Sequence, residues 1–273
     1  MIGGGTGAFI GAIHRIALYM DGQYELVAGA FSSDETKSRE TGEQLYIDSS
    51  RIYPDYHTML TKEALLPEKQ RLDVVAIVTP NHVHFDPAIQ ALDKGFHVII
   101  EKPINFSLTQ AKELHAKKIK SGREVLLCHT YTGYPMVKQA RQLISQGKLG
   151  SIRKVQVEYP QGWLSTFLEG SSHKQAAWRT DPFKSGLAGA MGDIGTHAFN
   201  LAEYVTGLSV VRVNASVRTV VEGRKLDDDG AAFLEFENGA SGVLVATQVA
   251  SGAENNISIR IYGEKGGLHW CQQ

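Results

Sequence analysis

The first half of the chain alternates short apolar runs with segments of helical periodicity. The apolar runs are rich in β-branched residues and bounded by turns, which is typical of strands covered on both faces. They are Tyr24–Ala30, Leu72–Val78, His97–Ile100 and Glu124–Leu127. Helical patterns lie between them at Asp86–Lys94 and Leu108–Lys120, and the second begins at the capping pair Ser107 and Gln110 and ends at Gly122. This alternation predicts right-handed βαβ units and a doubly wound parallel sheet.

The pattern changes after about residue 130. Helices are predicted over Met136–Ser145 and, after the glycine-rich stretch Gly186–Gly195, over His197–Val205. Most of the remainder alternates apolar and polar residues in strand-length runs, namely Ile152–Tyr159, Val210–Arg218, Ala231–Glu237, Ser241–Thr247, Ile257–Tyr262 and Leu268–Trp270. Asn238 and Gly239 offer a tight hairpin turn between two of these runs. We therefore predict an α/β fold with one domain over residues 1–130 and a second, α+β domain with an open, mainly antiparallel sheet over residues 131–273.

Composition adds mainly exclusions. The 273 residues include 28 Lys+Arg and 29 Asp+Glu, giving a net charge of −1, so charge gives no reason to expect nucleic acid or an anionic membrane as a partner. Two cysteines are too few for a disulfide framework or a cysteine-rich zinc site, which favours a reduced, cytoplasmic setting. Apolar runs are strand-sized, far below the roughly 20 residues of a membrane span.

A glycine cluster opens the first predicted helix. Glycines let the backbone approach a pyrophosphate, and a helix N-terminus offers free N–H groups to it. In the spacing G-x-G-x-x-G, Gly3 and Gly5 fit the first two places, but the third falls at Ala8 or, with a longer loop, at Gly11. A structural turn is the alternative. We expect dinucleotide contacts from Gly3, Gly5, Gly7, Phe9 and Ile10.

The adenosine end of such a site would lie after the second strand. Ser32 and Ser33 can hydrogen-bond a ribose or a phosphate, and Lys37 lies on the following turn. Since no acid stands at the strand end itself, a 2′-phosphate would be accepted, and we expect tolerance of NADP beside NAD. The alternative is a solvated loop.

Two further polar motifs follow strands, at the edge where open parallel sheets bind ligands. Thr79, Pro80, Asn81 and His82 follow Leu72–Val78 and are predicted to contact the nicotinamide side of the cofactor. No acid or cysteine accompanies the nearby histidines, so we predict no metal site.

Glu101, Lys102 and Pro103 follow the next strand. Pro103 disfavours helical backbone at Lys102, which aims the lysine off the sheet edge. There its ammonium group can polarise a substrate alcohol or carbonyl; Glu101 and Lys102 are also expected near the cofactor. An ordinary surface loop is the alternative.

The second half contains one dense polar cluster. Asp193 and His197 are four residues apart, so a helix starting there would place them on one face, as an acid/base pair. An N-cap aspartate and a core histidine are the alternative. We expect substrate contacts from Lys102, Tyr134, Trp178, Arg179, Asp193 and His197. The run Asp227–Asp229 is predicted to be a solvated loop.

Taken in order, these motifs resemble the Gfo/Idh/MocA family of sugar and cyclitol oxidoreductases. The resemblance rests on Gly3-x-Gly5, Gly11-x-x-His14, Thr79-Pro80-Asn81-x-x-His84, Glu101-Lys102-Pro103 and Asp193-x-Gly195-x-His197. It implies a Rossmann domain, a nicotinamide cofactor and a dehydrogenase that acts on CH–OH groups of a sugar, cyclitol or polyol. Lys102 would polarise the substrate hydroxyl, and His197, positioned by Asp193, would remove its proton as hydride leaves.

The family resemblance carries further expectations. Family members are usually longer at both ends, so we expect the natural protein to be longer, with most of the first strand and the end of the second domain outside this chain. Family habit implies a homodimer or homotetramer through the C-terminal sheet. Two other functions stay open: transient oxidation with a tightly held cofactor, as in family glycosidases, and a non-catalytic dinucleotide-binding regulator.

Overall fold

The computed structural model describes residues 1–171 and 173–273, which divide into two compact units, Met1–Cys128 and His129–Gln273. The fully described first unit has strands β1 (Ile2–Gly3), β2 (Val74–Val78), β3 (His97–Glu101) and β4 (Val125–Cys128), all parallel and in the order β1-β2-β3-β4. Its helices are α1 (Phe9–Tyr19), α2 (Glu35–Gln44), α3 (Tyr56–Ala64), α4 (Phe85–Asp93) and α5 (Leu108–Ser121). The parallel sheet confirms the predicted fold class.

Helix α5 shows how local sequence sets these elements. The Ser107 hydroxyl accepts the backbone N–H of Gln110 at 3.2 Å, and Gly122 ends the helix in the left-handed conformation. Both ends therefore lie where the capping pair and the glycine predict them.

The predicted strand Tyr24–Ala30 is wrong for most of its length. Only isolated bridges form, Ala30 with Ile2 and Gly29 with Ile52. The backbone N–H of Ala30 bonds the Met1 carbonyl at 3.0 Å, so pairing reaches only the residues opposite β1. Residues 24–26 instead line an apolar groove with Val74 and Ala76 of β2, where the first unit provides no neighbouring strand to pair with.

Helix α2 was not predicted because it has no apolar stripe. Its buried residues are Ser38, Thr41 and Gly42, which are small or polar. The Ser38 hydroxyl accepts the Phe31 N–H and donates to the Tyr53 carbonyl, both at 2.9 Å, so hydrogen bonds replace the hydrophobic contacts that periodicity detects.

In the second unit, a mixed sheet has the order β10-β9-β5-β8-β7-β6 among the described residues. The strands are β5 (Ile152–Pro160), β6 (Val210–Arg218), β7 (Asp229–Phe236), β8 (Ser241–Thr247), β9 (Ser258–Gly263) and β10 (Gly267–Cys271). Only β5 and β8 pair in parallel within this described sheet, which confirms the mainly antiparallel expectation. The helices are α6 (Pro135–Ser145), α7 (Lys174–Arg179), α8 (Pro182–Ser185) and α9 (Thr196–Thr206).

One sheet face is covered and the other is open. Helix α9 buries Ala198, Leu201, Ala202 and Val205 in the same core as the inward residues of the sheet. On the other face, Phe233 of β7 and Tyr262 of β9 remain exposed, at 69% and 45%; each neighbours an inward core residue along its strand, Leu234 and Ile261. No helix within the described ranges is long and apolar enough to span a membrane.

The prediction of a solvated loop at Asp227–Asp229 is wrong. Asp228 is fully buried and accepts the backbone N–H groups of Val220 at 2.7 Å and Val221 at 2.9 Å, together with the Arg224 guanidinium at 3.0 Å. These charge-assisted bonds replace the water that an exposed aspartate would have. Asp227 accepts hydrogen bonds from a different segment, the backbone that precedes helix α9.

Candidate active site

The glycine loop connects β1 to α1. Gly3, Gly4 and Gly7 have φ of +80°, +76° and +79°, values that side-chain-bearing residues rarely adopt. A Cβ on Gly11 would lie 2.4 Å from the Gly4 Cα, so Gly11 lets α1 pack directly on the loop. Of the two places left open for the third glycine, the close packing occurs at Gly11 and not at Ala8.

The N-terminus of α1 fits an anionic group. No side chain caps it, and its first turn contains no acid. Its first N–H groups are therefore available to a ligand, and no acidic residue of the helix offsets the positive end of its dipole. Phe9 is largely exposed and Ile10 is half-buried at this end. The loop and helix end together match the cradle that a pyrophosphate needs.

The predicted adenosine-side residues lie together at the start of α2. Asp34 caps this helix by accepting the Lys37 N–H at 3.0 Å, and the Ser32 hydroxyl accepts the Asp34 N–H at 3.1 Å. Ser33 is exposed and Lys37 half-buried. The cap explains the local backbone, and ribose or phosphate contacts by these side chains stay a prediction.

The turn after β2 is stabilised from within. The Thr79 hydroxyl donates to the Val83 carbonyl at 3.0 Å, and Pro80 precedes a single 3₁₀ turn, Asn81–Val83. Asn81 is buried, whereas His82 is exposed with its ring 6.4 Å from that of Phe106. A Cβ on Gly3 would meet the Thr79 methyl at 3.0 Å, so this turn lies against the glycine loop.

The segment after β3 lies at the same edge of the sheet. Glu101 pairs with Cys128 in the sheet and its carboxylate lies 2.7 Å from Nε2 of His14 on α1. Lys102 and Pro103 are half-buried and joined by a cis peptide bond. The structure thus brings the glycine loop, the Thr79 turn and Lys102 to the carboxyl ends of neighbouring parallel strands.

One group of side chains in this unit has the composition of a metal site. His14, Glu101 and Cys128 each offer a ligand atom, all within 4.8 Å of one another. Burial raises the pKa of the Cys128 thiol to about 12. The geometry is accounted for by the hydrogen bond between His14 and Glu101.

In the second unit, His197 lies near the start of α9 in an aromatic pocket. Its ring centroid is 5.0 Å from that of Tyr131, 5.5 Å from that of His129 and 6.3 Å from that of Tyr159. The side chain is buried, and the apolar ring surfaces around it lower the local dielectric. A low dielectric strengthens a hydrogen bond or charge interaction between His197 and a ligand.

Asp193 lies in a π-helical turn, Met191–Gly195, that runs directly into α9. Its Oδ2 accepts the Gln248 side-chain amide at 2.9 Å and lies 3.5 Å from Nε of Arg179. Asp193 is not the N-cap, since neither this turn nor α9 has a side-chain cap. The Asp227 carboxylate, from another segment of the chain, accepts the N–H groups of Gly189 at 2.6 Å and Met191 at 2.7 Å.

The other predicted substrate residues of this unit divide into two groups. The Arg179 guanidinium lies over the Trp178 ring at 4.3 Å, so Trp178, Arg179 and Asp193 form one cluster. Tyr134 instead packs between Tyr131, at 6.0 Å between centroids, and Trp270, at 5.5 Å. Tyr134 contributes to the core, and its role as a substrate contact stays a prediction.

A hydrogen-bonded network, which the sequence pattern does not indicate, continues from Asp193. The Gln248 amide also donates to Gln161 at 3.3 Å, and the Gln161 amide donates to Asn255 at 2.6 Å. Asn255 accepts the Tyr159 hydroxyl at 2.6 Å, and Tyr159 bonds Tyr131. Burial raises the pKa of both tyrosines, so both phenols stay neutral. These residues lie on different strands and loops, and no sequence spacing links them.

Comparison with known proteins identifies the family. Residues 1–129 match the oxidoreductase family with an NAD-binding Rossmann fold, and residues 137–269 match the GFO/IDH/MocA C-terminal domain. An uncharacterized oxidoreductase of Bacillus subtilis is 33% identical over 99% of this chain and 69% of its own length. The chain belongs to the Gfo/Idh/MocA family of oxidoreductases.

Some similar proteins have ligands or substrates in their names. The NAD⁺ complex of an inositol dehydrogenase homolog from Azotobacter vinelandii superposes with a TM-score of 0.95 at 37% identity, over 99% of this chain and 69% of that one. An inositol dehydrogenase homolog from the same organism, solved with NADH and myo-inositol, superposes with a TM-score of 0.91 at 35% identity, over 99% of this chain and 69% of that one. Levoglucosan dehydrogenase of Pseudarthrobacter phenanthrenivorans is 26% identical over 98% of this chain and 72% of its own length.

Proposed function

We propose that this protein is an NAD(P)-dependent dehydrogenase that oxidises a CH–OH group of a sugar, cyclitol or related polyol. The observation that carries the proposal is the meeting of the glycine loop, the Thr79 turn and Lys102 at one edge of the parallel sheet. The naming of myo-inositol and levoglucosan for relatives supports the substrate class.

Each proposed catalytic residue has one task. When bound, NAD supplies the nicotinamide carbon that takes the hydride from the substrate carbinol carbon. The Lys102 ammonium donates a hydrogen bond to the substrate oxygen and stabilises the charge that develops there. His197 accepts the hydroxyl proton, so the carbinol loses one hydride and one proton and becomes a carbonyl.

Asp193 is proposed to stabilise the imidazolium that His197 becomes. Its carboxylate is itself held by Gln248 and Arg179, which fixes its position along the π-helical turn. Arg179 and Trp178 are proposed to contact substrate hydroxyls and the ring face, since a guanidinium stacked on indole presents both donors and a flat apolar surface.

For the cofactor, we propose NAD with tolerance of NADP. The glycine loop and the uncapped end of α1 serve either dinucleotide, because both contain the same pyrophosphate. The exposed Ser33 and the half-buried Lys37 provide a hydroxyl and a cation for a 2′-phosphate.

The function is tested with the whole chain. We expect NADH and NADPH to quench or shift the fluorescence of the protein on titration, and a panel of inositols, anhydrosugars and pentoses to give absorbance at the nicotinamide band. Turnover with at least one polyol supports the proposal. Cofactor that copurifies without net NADH formation indicates transient oxidation, and binding without any turnover indicates a regulator; either outcome rejects the dehydrogenase.

Replacement of Gly11 tests the glycine loop. In Gly11→Ala the new Cβ would meet Gly4 backbone at 2.4 Å, so the loop must move and we expect NADH affinity to fall at least about tenfold. Gly266→Ala, in the turn between β9 and β10, is the matched control: like Gly11 it has no left-handed φ, but nothing lies within 4 Å of the added Cβ. Unchanged affinity in Gly11→Ala would contradict the assigned cradle.

We also propose that the chain forms a homo-oligomer through the open sheet face. The exposed aromatic residues Phe233 and Tyr262 on this face support the proposal because large apolar side chains exposed together are unfavourable in water. Light scattering after size exclusion should give a mass at least twice that of one chain, and Phe233→Lys should shift it toward the monomer. A monomeric mass for the unmodified chain would reject the interface.

A further inference from the structure

His84 is a buried polar residue of the first unit to which the proposed reaction assigns no role. Its side chain is completely buried at the junction between the 3₁₀ turn after β2 and helix α4. Nδ1 lies 2.8 Å from the Pro103 carbonyl oxygen, and Nε2 lies 3.0 Å from the Thr79 carbonyl oxygen. Each ring nitrogen therefore faces a different loop of the candidate active site.

Those two loops have separate tasks in the proposed reaction. Thr79 begins the turn that lies against the glycine loop, while Pro103 immediately follows Lys102. Movement of the Thr79 turn would disturb the cofactor cradle, and movement of Pro103 would displace the Lys102 ammonium. A difference of about 1 Å at a catalytic group is enough to slow a reaction by about two orders of magnitude.

We propose that His84 is a positioning residue that ties the cofactor turn to the catalytic lysine loop, with Nε2 serving the Thr79 side and Nδ1 serving the Pro103 side. The proposal rests on the function proposed above. It assigns to one imidazole two separable effects, one on cofactor affinity and the other on the catalytic step.

The chemistry of the ring makes the two contacts unequal at any instant. A carbonyl oxygen only accepts hydrogen bonds, and a neutral imidazole has one N–H, so the tautomer decides which loop is bonded. Burial lowers the pKa of His84, while the two carbonyl contacts and Glu101 on β3 act in the opposite direction and His82 in the same turn adds to the lowering. The neutral ring thus donates its one N–H to either the Pro103 or the Thr79 carbonyl oxygen.

Two amide substitutions separate these contacts. The side-chain nitrogen of asparagine occupies the position of Nδ1, and that of glutamine occupies the position of Nε2. We expect His84→Asn to keep the Pro103 contact and nearly normal kcat, with NAD⁺ Kd raised about 3- to 10-fold, as loss of one hydrogen bond implies. We expect His84→Gln to keep NAD⁺ affinity and to lower kcat by a similar or larger factor.

A readout without activity completes the test. In the protein without cofactor, hydrogen–deuterium exchange should speed up around residues 79–83 in His84→Asn and around residues 101–104 in His84→Gln. His84→Phe should show both changes. Leu60→Ala is the control for a merely structural loss, since Leu60 is fully buried on α3 and its truncation should lower the melting temperature while Kd and kcat stay normal.

The outcomes distinguish the two proposals. If both amide variants change Kd, kcat and exchange in the same way, or only lower the melting temperature as Leu60→Ala does, the role assigned to His84 is wrong. If the unmodified protein binds no NAD⁺, the proposed function fails. The exchange pattern still decides in that case whether His84 ties the two loops.

Discussion

Lys102→Met should reduce kcat by about 100- to 10,000-fold while NAD⁺ affinity changes by less than about threefold. Methionine fills nearly the same volume but has no charge and no N–H donor, so the substrate oxygen loses its polarising partner. The half-buried lysine is held in place by β3 on one side and by Pro103 on the other, so the backbone should not move. Steady-state kinetics and cofactor titration measure the two quantities separately.

The control for this experiment is a lysine on the same unit away from the site. Lys117 pairs with Asp93 at 2.6 Å between α5 and α4, and Lys117→Met should leave turnover unchanged. If Lys102→Met retains full turnover, the catalytic assignment fails. If both variants lose activity together, the loss reflects the fold of the unit and not the chemistry of Lys102.

Asp228→Asn should lower the free energy of unfolding of the second unit by about 3–5 kcal/mol, as expected when one partner of a buried ion pair is removed. Arg224 is 1% exposed and Asp228 is fully buried, so the arginine would keep Glu169 but lose its second carboxylate. The asparagine amide would also meet one of the two backbone N–H groups that the carboxylate now accepts.

Tryptophan fluorescence measures this effect selectively. The three tryptophans, Trp163, Trp178 and Trp270, all belong to the second unit, so denaturant unfolding followed by their emission reports that unit alone. Glu235→Gln is the matched control, because its pair with Arg212 at 3.2 Å is exposed and should contribute less than about 1 kcal/mol. Equal losses of unfolding free energy in the two variants would show that the buried ion pair stabilises the unit no more than the exposed one.

Strands and capped helices could be predicted because their signals are local. β6 and β8 have the predicted bounds, and α5 begins at its capping serine. The sequence was misleading where a long-range partner decides the outcome. Tyr24–Ala30 has the composition of a strand but forms only two isolated bridges. The acceptor role of Asp227 depends on N–H groups of Gly189 and Met191, which lie 38 and 36 positions away along the chain.

The candidate site also combines parts that the sequence predicts with parts that it does not. The glycine loop, the Thr79 turn and Lys102 follow strands directly, and the parallel topology alone brings them to one edge. The partners of Asp193 could not be found by spacing, since Gln248 and Arg179 are 55 and 14 positions away along the chain. The network behind Asp193 is a product of sheet order, which the sequence pattern does not specify.

The π-helical turn at Met191–Gly195 makes the local backbone conformation depend on the number of residues in the turn. A π-turn accommodates one residue more than the α-helical path it interrupts. Removal of Gly192 would let a regular α-helix run from Ala190 into α9, with hydrogen bonding intact. Because the bulge absorbs the extra residue, the side chains on either side, His197 among them, would keep their directions. The loss would fall on the bulge itself, which places Asp193 against Gln248 and Arg179.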